Sequence, residues 1–346
     1  MTRLRIELKP YRRNLPVPLR FARGAIEERA GVLVRIADDA ENVSEGDAAP
    51  LPEIGTETLP ETVAALERAK TSLRISSPFQ TLDELRDALA QFEGTPAARA
   101  GLAQAALALG NRGDSGCAEA PLGEPRRDRV PVNGLIGLSS AEEASRSARR
   151  ILERGIRTIK CKLGSSAEED AARIEAVKFA APEATLRLDA NGMWTRDEAI
   201  DRLGRLDLAR VEYVEQPTAN PEDFPEIKAR TGARCASDES TKSFETARRI
   251  IEARLTDAVV IKPTLVGGVD RAVALIRLCE RAGVDPVVTH AFESSVGFRA
   301  AIIAAARVSD PALAAGLDYE NVLPPEERPE DLTIERGRID ARNFVL

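Results

Sequence analysis

TIKCKLG (158–164), TLRLDAN (185–191) and VEYVEQP (211–217) are the stretches whose reading decides the fold. Each is a short β-rich run in which apolar and charged residues alternate, and each is followed by a stretch of helical character. Working outward, VPVNGLIG (130–137) precedes them, and RCASDES (234–240), AVVIKPT (258–264) and DPVVTHAF (285–292) follow. Successive runs begin every 23 to 28 residues, about the length of one βα unit. The intervening SAEEASRSARRILERG (140–155) shows Ala, Ile and Leu at helical spacing among charges. Seven such units in an α/β pattern predict a parallel barrel. An open doubly wound sheet is the alternative, but neither GxGxxG nor GxxxxGK[ST] occurs.

The length of 346 residues suits one barrel with a smaller companion. Residues 1–115 read as a separate α+β domain, with an opening strand (2–9), a hairpin GVLVRIADDAENVSEGD and helices near 59–70, 81–92 and 97–109. The barrel is expected over 125–325. The tail 326–346 contains DLTIERGRIDA (331–341), strand and turn that could return to the first domain. A net charge of −7 gives no general attraction to nucleic acid or an anionic membrane. No apolar stretch reaches the length of a membrane span, and the start MTRLRIELKPYRRN lacks a signal-peptide core, so the expectation is a soluble cytoplasmic protein. Monomer and homo-oligomer are both open. The four cysteines are far apart and His290 is the single histidine, which argues against zinc and against a disulfide framework. Lysine is scarce, eight of 49 basic residues, so each lysine in a strand raises the question of whether its position needs an amine that can lose its proton.

Alternate side chains of a barrel strand point inward, and those at the C-terminal ends face the mouth. In TIKCKLG, Ile159, Cys161 and Leu163 face the helices and Lys160 and Lys162 face inward. In TLRLDAN, Arg187, Asp189 and Asn191 face inward, and in AVVIKPT so does Lys262. Glu215 and Asp238 hold matching late positions. From Lys162 the steps are 27 residues to Asp189, 26 to Glu215, 23 to Asp238 and 24 to Lys262. Three acids aimed at one mouth repel one another unless a hard cation binds them, and an all-oxygen set favours Mg²⁺. Lysines on both sides of that metal suggest proton abstraction next to a carboxylate, by a lysine whose pKa is lowered by desolvation and a neighbouring cation.

The array KCK, LDAN, VEQP, SDES, IKPT and FESSVG resembles the enolase superfamily, in its muconate-lactonizing subgroup, and within it most of all the o-succinylbenzoate synthases. The resemblance spans nearly the whole chain. It implies a (β/α)7β TIM-like barrel and an N-terminal α+β capping domain completed by the C-terminal segment. It makes Asp189, Glu215 and Asp238 ligands of Mg²⁺, for which Mn²⁺ can substitute, and Lys162 the general base and then the acid that assists loss of water. Lys262 would stabilise a planar enolate by cation-π contact, and Lys160 would help hold a substrate carboxylate. Arg187, Asn191, Ser294 and Ser295 complete the implied substrate contacts, the two serines as a carboxylate-binding turn at a helix start. The implied reaction is dehydration of 2-succinyl-6-hydroxy-2,4-cyclohexadiene-1-carboxylate to o-succinylbenzoate, a step toward menaquinone, on a small-molecule carboxylate substrate.

Peripheral positions are less decisive. The capping segment 11–24 offers Arg12, Arg13, Arg20 and Arg23 to a dicarboxylate without choosing among them, and Gly46-Asp47 stands where many relatives have Gly-Glu. His290 reads as pocket wall, Met193 and Trp194 as packing residues. An isomerase on the same machinery is the alternative: an N-acylamino acid racemase, a dipeptide epimerase or a muconate cycloisomerase. GLDYENVL carries Asp318 but lacks the Asp-x-Asp with which dipeptide epimerases tend to meet a substrate ammonium. A non-catalytic barrel is disfavoured because every expected catalytic position is filled.

Overall fold

The computed structural model describes residues 4–21, 24–73, 82–110 and 122–344. The capping domain is an antiparallel meander of β1 (Arg5–Phe21), β2 (Gly24–Ala37) and β3 (Val43–Ala48), covered by α1 (Leu59–Ser72), α2 (Leu82–Leu89) and α3 (Pro96–Gly110). Pro10, Pro16 and Pro18 all fall in β1, which is an edge strand and tolerates missing donors. Helix α3 is buried nearly all round and lies against β3. The contact is possible because Gly46 meets Gly101: a Cβ on Gly46 would stand 2.0 Å from the Gly101 carbonyl oxygen.

Seven parallel strands follow in spatial order: β5 (Asn133–Ile136), β6 (Thr158–Lys162), β7 (Thr185–Asp189), β8 (Val211–Glu215), β9 (Cys235–Ser237), β10 (Ala258–Ile261) and β11 (Asp285–Val288). An eighth segment closes the circle. The Ala315 carbonyl accepts from the Asn133 amide at 2.9 Å and the Gly316 amide donates to the Val288 carbonyl at 2.9 Å, so Ala315–Gly316 bridges the first and last strands. The outer helices are α4 (Ala141–Glu153), α5 (Ala167–Ala180), α6 (Arg196–Gly204), α7 (Phe224–Thr231), α8 (Phe244–Glu252), the short α9 (Pro263–Val266), α10 (Val269–Ala282) and α11 (Ser295–Ala305). Ser140, Ser166, Thr195 and Ser243 start α4, α5, α6 and α8 with reciprocal capping boxes, so strand-to-helix turns are fixed locally. Among the described residues no helix is long and apolar enough to cross a membrane.

Two expectations are revised. The run 130–137 is not one strand: β4 (Arg129–Pro131) leaves the barrel, and only β5 belongs to it. The tail reaches the cap through the ion pair of Glu327 with Arg13 at 3.4 Å, but β12 (Ile334–Glu335) pairs with β13 (Arg338–Asp340) and β13 with β4, and neither pairs with β1–β3. Because β4 immediately precedes β5, this small sheet sits at the N-terminal end of the barrel, away from the mouth.

Candidate active site

Register places the charged side chains at one end of the barrel. Lys162 is paired with Asp189 across β6 and β7, and Asp189 with Glu215 across β7 and β8. Glu215 is paired with Ala236, so Asp238 follows two residues later on the same side. Lys262 caps α9 just beyond β10. In an eight-stranded circle β6 and β10 are four strands apart, so the lysines stand on opposite walls with the three acids between them.

The contacts are dense. Lys160 Nζ lies 2.6 Å from Glu215 Oε1 and 2.9 Å from Asp189 Oδ2. Lys162 Nζ lies 3.1 Å from the same Asp189 oxygen and donates to Asn191 Oδ1 at 2.7 Å. Lys262 pairs with Asp238. Of the three ammonium-bearing side chains Lys162 is the most open, 34% exposed against 20% for Lys160 and 14% for Lys262. Burial alone would lower the Lys160 and Lys262 ammonium groups, but facing carboxylates outweigh it and hold both above the usual lysine value. Asp189 is raised by burial and lowered more strongly by Lys160 and Lys162, and ends well below the usual range. Glu215 ends well above it, because burial, with Asp189 and Asp238 adding repulsion, exceeds the opposing effect of Lys160.

A fourth carboxylate joins this cluster. Glu239 Oε1 accepts from Asn191 Nδ2 at 2.8 Å, while its Oε2 is buried without a hydrogen-bond partner. Strand alternation would send a neighbour of Asp238 outward, but β9 ends at Ser237 and the rule ends with it. Gln216, also unanticipated, accepts from the Asp238 amide at 2.9 Å and from Ser240, and so fixes the Asp238 turn. Asn191, Gln216 and Phe292, just past β7, β8 and β11, have positive φ of 49°, 41° and 61°. Unfavourable backbone at three strand ends of the same mouth is characteristic of a site whose geometry matters more than its local stability. Among the described residues no three acidic or histidine side chains are grouped as ligands of one ion; the Lys160 ammonium bridges Asp189 and Glu215 instead.

A family model described as enolase C-terminal domain-like matches residues 143–343. The chain belongs to that family. It is an enzyme of the enolase superfamily, and an o-succinylbenzoate synthase of Thermobifida fusca is 37% identical over 222 residues, 63% of this chain and 68% of that protein. The o-succinylbenzoate synthase of Thermosynechococcus elongatus, solved with Mg in its active site, superimposes with a TM-score of 0.73 at 29% identity, over 96% of each chain. The dipeptide epimerase of Methylococcus capsulatus, solved with Mg and L-Arg-D-Lys, gives 0.83 at 27% identity, over 97% of this chain and 96% of that one.

In this enolase-superfamily barrel the remaining expected residues are placed unequally. Arg187 is fully buried below the mouth, bonded to Glu212 at 2.6 Å and Asn133 at 2.9 Å, with its guanidinium over the Tyr213 ring. Ser294 is the N-cap of α11, but its amide and hydroxyl both donate to Asp47 of the cap, at 2.9 and 2.6 Å, and Ser295 is the first helical residue. The carboxylate at that helix start is therefore the protein's own. Arg13 does not face the mouth: it is buried and donates to the carbonyls of Val322, Phe292 and Glu293. Arg12 pairs on the surface with Glu28. Arg23 and the Arg20 side chain lie outside the described residues, as does Cys117. Trp194 packs, but Met193 is 65% exposed, contrary to expectation. Half-buried His290 is lowered to about 3 by burial and by Lys262, Arg13 and Lys160, so it is neutral at ordinary pH. Cys161 is buried, which pushes its thiol up to about 12.

Proposed function

We propose that the chain is a Mg²⁺-dependent o-succinylbenzoate synthase that dehydrates 2-succinyl-6-hydroxy-2,4-cyclohexadiene-1-carboxylate on the way to menaquinone, with Mn²⁺ able to replace Mg²⁺. The observation that carries the reading is the pair of lysine walls, β6 and β10, facing each other across Asp189, Glu215 and Asp238. The donor set suits a hard divalent ion: it is all oxygen, it is buried, and ionisation of Glu215 is disfavoured by burial and by its acidic neighbours, which a cation would reverse. Asp189, Glu215 and Asp238 would hold Mg²⁺, which supplies positive charge to the substrate carboxylate as its α-carbon loses a proton.

This chain's residues account for the proton and the leaving group. Lys160 is held charged by its carboxylates and serves as a fixed cation, not as a base. Lys162, at the mouth and the most open of the three, takes the α-proton once neutral; the electron pair moves into the carboxylate as a planar enolate, and the same lysine returns the proton to the departing hydroxyl as water. Lys262 faces the intermediate from the other wall. Asn191, bonded to Lys162 and Glu239, orients the base.

A racemase or epimerase on the same lysine pair is the second reading, favoured by the likeness to the Methylococcus capsulatus epimerase. Asp318 speaks against a dipeptide substrate, because Arg154 engages both of its oxygens at 2.8 Å and leaves no free carboxylate for an ammonium. The deciding experiment follows the cyclohexadiene absorbance with Mg²⁺ and with chelator, beside N-acylamino acid and dipeptide epimerisation assays. Metal-dependent dehydration is expected; fast epimerisation without dehydration would overturn the substrate assignment and leave the barrel chemistry standing.

A further inference from the structure

One buried carboxylate at the seam between cap and barrel has no part in the proposed chemistry. Asp47, on β3, is 2% exposed, and its carboxylate accepts from the Ser294 amide, the Ser294 hydroxyl and, at 3.0 and 3.1 Å, the Tyr11 hydroxyl. Its backbone amide donates to Gln104 on α3, whose side-chain NH₂ donates in turn to the Val296 carbonyl at 2.7 Å. The cap therefore grips the first turn of α11 from two elements. Arg13 and Arg29, from β1 and β2, both donate to the carbonyl of Phe292, the residue with φ of 61°, so the whole turn between β11 and α11 is shaped from the cap.

That turn reaches back into the site. Glu293, next to Ser294 and 1% exposed, accepts from the Ala291 amide at 2.6 Å through one oxygen and from the Thr264 hydroxyl at 2.7 Å through the other. Thr264 lies two residues after Lys262 in α9, a helix whose first hydrogen bonds run from Leu265 and Val266 to the Lys262 carbonyl at 3.0 and 3.1 Å. Two hydrogen bonds, Ser294 to Asp47 and Thr264 to Glu293, joined by the adjacent chain from Glu293 to Ser294 and from Lys262 to Thr264, thus link the cap to the backbone of Lys262. Among the described residues nothing comparable joins the cap to Lys160 and Lys162: that wall is braced by Arg173, which donates to the Lys162 carbonyl at 3.1 Å and to the Ser139 carbonyl at 2.8 Å, all within the barrel.

We propose that Asp47 is a positioning residue for Lys262: by anchoring Ser294 it sets the turn whose Glu293 fixes Thr264, so that seating of the cap and alignment of the β10 lysine wall are a single coupled event. The proposal rests on the lysine and carboxylate cluster being the active site. Two buried, directional links in series carry such coupling because each leaves an unpaired polar group if it opens alone.

The test is amide hydrogen exchange, read by mass spectrometry on the full chain without substrate, for the parent protein and for Asp47→Ala, Ser294→Ala and Thr264→Val. In Asp47→Ala, protection is expected to fall about tenfold or more over 290–298 and also over 262–268, and to stay unchanged over 158–164 and 185–191. If Asp47→Ala does not fold, Ser294→Ala, which keeps one of the two Ser294 bonds, is expected to give the same pattern at smaller amplitude. Adding Thr264→Val should abolish any further effect of the cap substitution on 262–268. Loss of protection that stops at α11, or that spreads equally to 158–164, overturns the proposal. Because exchange needs no turnover, its outcome is separate from success or failure of the synthase assay. Where turnover is measured, Asp47→Ala should lower kcat with little change in KM, whereas loss of folded protein alone would scale the active fraction and leave the pH profile unmoved.

Discussion

Lys160 donates to Glu215 Oε1 at 2.6 Å, yet Glu215 remains well above the usual carboxylate range. One ammonium does not compensate for burial together with Asp189 and Asp238 on either side. The four acids Asp189, Glu215, Asp238 and Glu239 face the three cations Lys160, Lys162 and Lys262. With all four acids ionised the cluster would be one positive charge short of neutral, and Glu215, raised to about 8, is the group whose proton makes up the difference.

Glu215→Gln should therefore raise stability in the absence of metal. The amide keeps an acceptor for Lys160, which still has Asp189 at 2.9 Å, and removes the carboxyl that must take up a proton to be buried. Replacement of a buried charge by a neutral isostere typically gains about 1–3 kcal/mol, or a few degrees in Tm. Mg²⁺ should stabilise the parent protein and leave the variant unmoved. Calorimetry with and without Mg²⁺ checks both halves; a lower Tm for metal-free Glu215→Gln contradicts the electrostatic account of the cluster.

Lys162→Ala should abolish turnover and leave folding nearly untouched. The side chain is one-third exposed, and its partner Asp189 stays paired with Lys160, so the change in unfolding free energy should stay within about 1 kcal/mol. Loss of a positioned base removes at least about 10²–10⁴ in kcat. Dehydration rates beside circular dichroism separate the two effects, and substantial residual turnover by a folded variant would remove Lys162 from the role of base.

The parts of this architecture that were legible in the sequence share one property: they repeat locally. Alternation within 158–164 and 185–191 put Lys160, Lys162, Arg187 and Asp189 inside, and the βα spacing ordered the acids. Where the period breaks, so does the reading. The run 130–137 divides because Val132 pairs with Ala315, 183 residues away, and that partner is invisible to a local pattern. Glu239 is invisible to strand alternation because β9 is three residues long and alternation fails beyond Ser237. Arg13 and Arg12 were indistinguishable as sequence; the barrel loops that bury one of them lie about 280 residues further along the chain.

That pair gives a direct contrast. Arg13 supplies three bonds to main-chain carbonyls on two separate loops, and a lysine has neither the fork nor the reach to replace them. Arg13→Lys and Arg13→Ala should each cost roughly 2–4 kcal/mol, since buried acceptors lose their donor. Arg12→Ala, which breaks only a surface pair with Glu28, should stay within about 0.5 kcal/mol. Urea unfolding of the three variants decides it; an Arg13→Lys protein as stable as the parent would mean that the carbonyls find other donors.

Asp47 should leave a signature in the pH dependence of stability. Burial raises its carboxyl to about 6, the bonds from Ser294 opposing and Glu293 adding to the shift, with Tyr11, Arg13 and Arg29 as its other charged or titrating neighbours. The folded protein thus binds this proton more tightly than the unfolded chain, whose value is near 3.8. A raised carboxyl contributes stability that is fully present below the unfolded value and is lost as pH climbs through the folded one. Two pH units correspond to about 3 kcal/mol. Asp47→Asn cannot titrate, so the difference in unfolding free energy, parent minus variant, should fall by about that amount between pH 4 and 7 and then level off, while every group common to the two proteins cancels. Urea titrations at half-unit intervals over that window measure the difference directly. A difference that stays flat, or that rises with pH, would mean that Ser294 and the neighbouring arginines stabilise the ionised carboxylate more than burial opposes it, and that Asp47 holds α11 as a permanent anion at every pH at which the protein is folded.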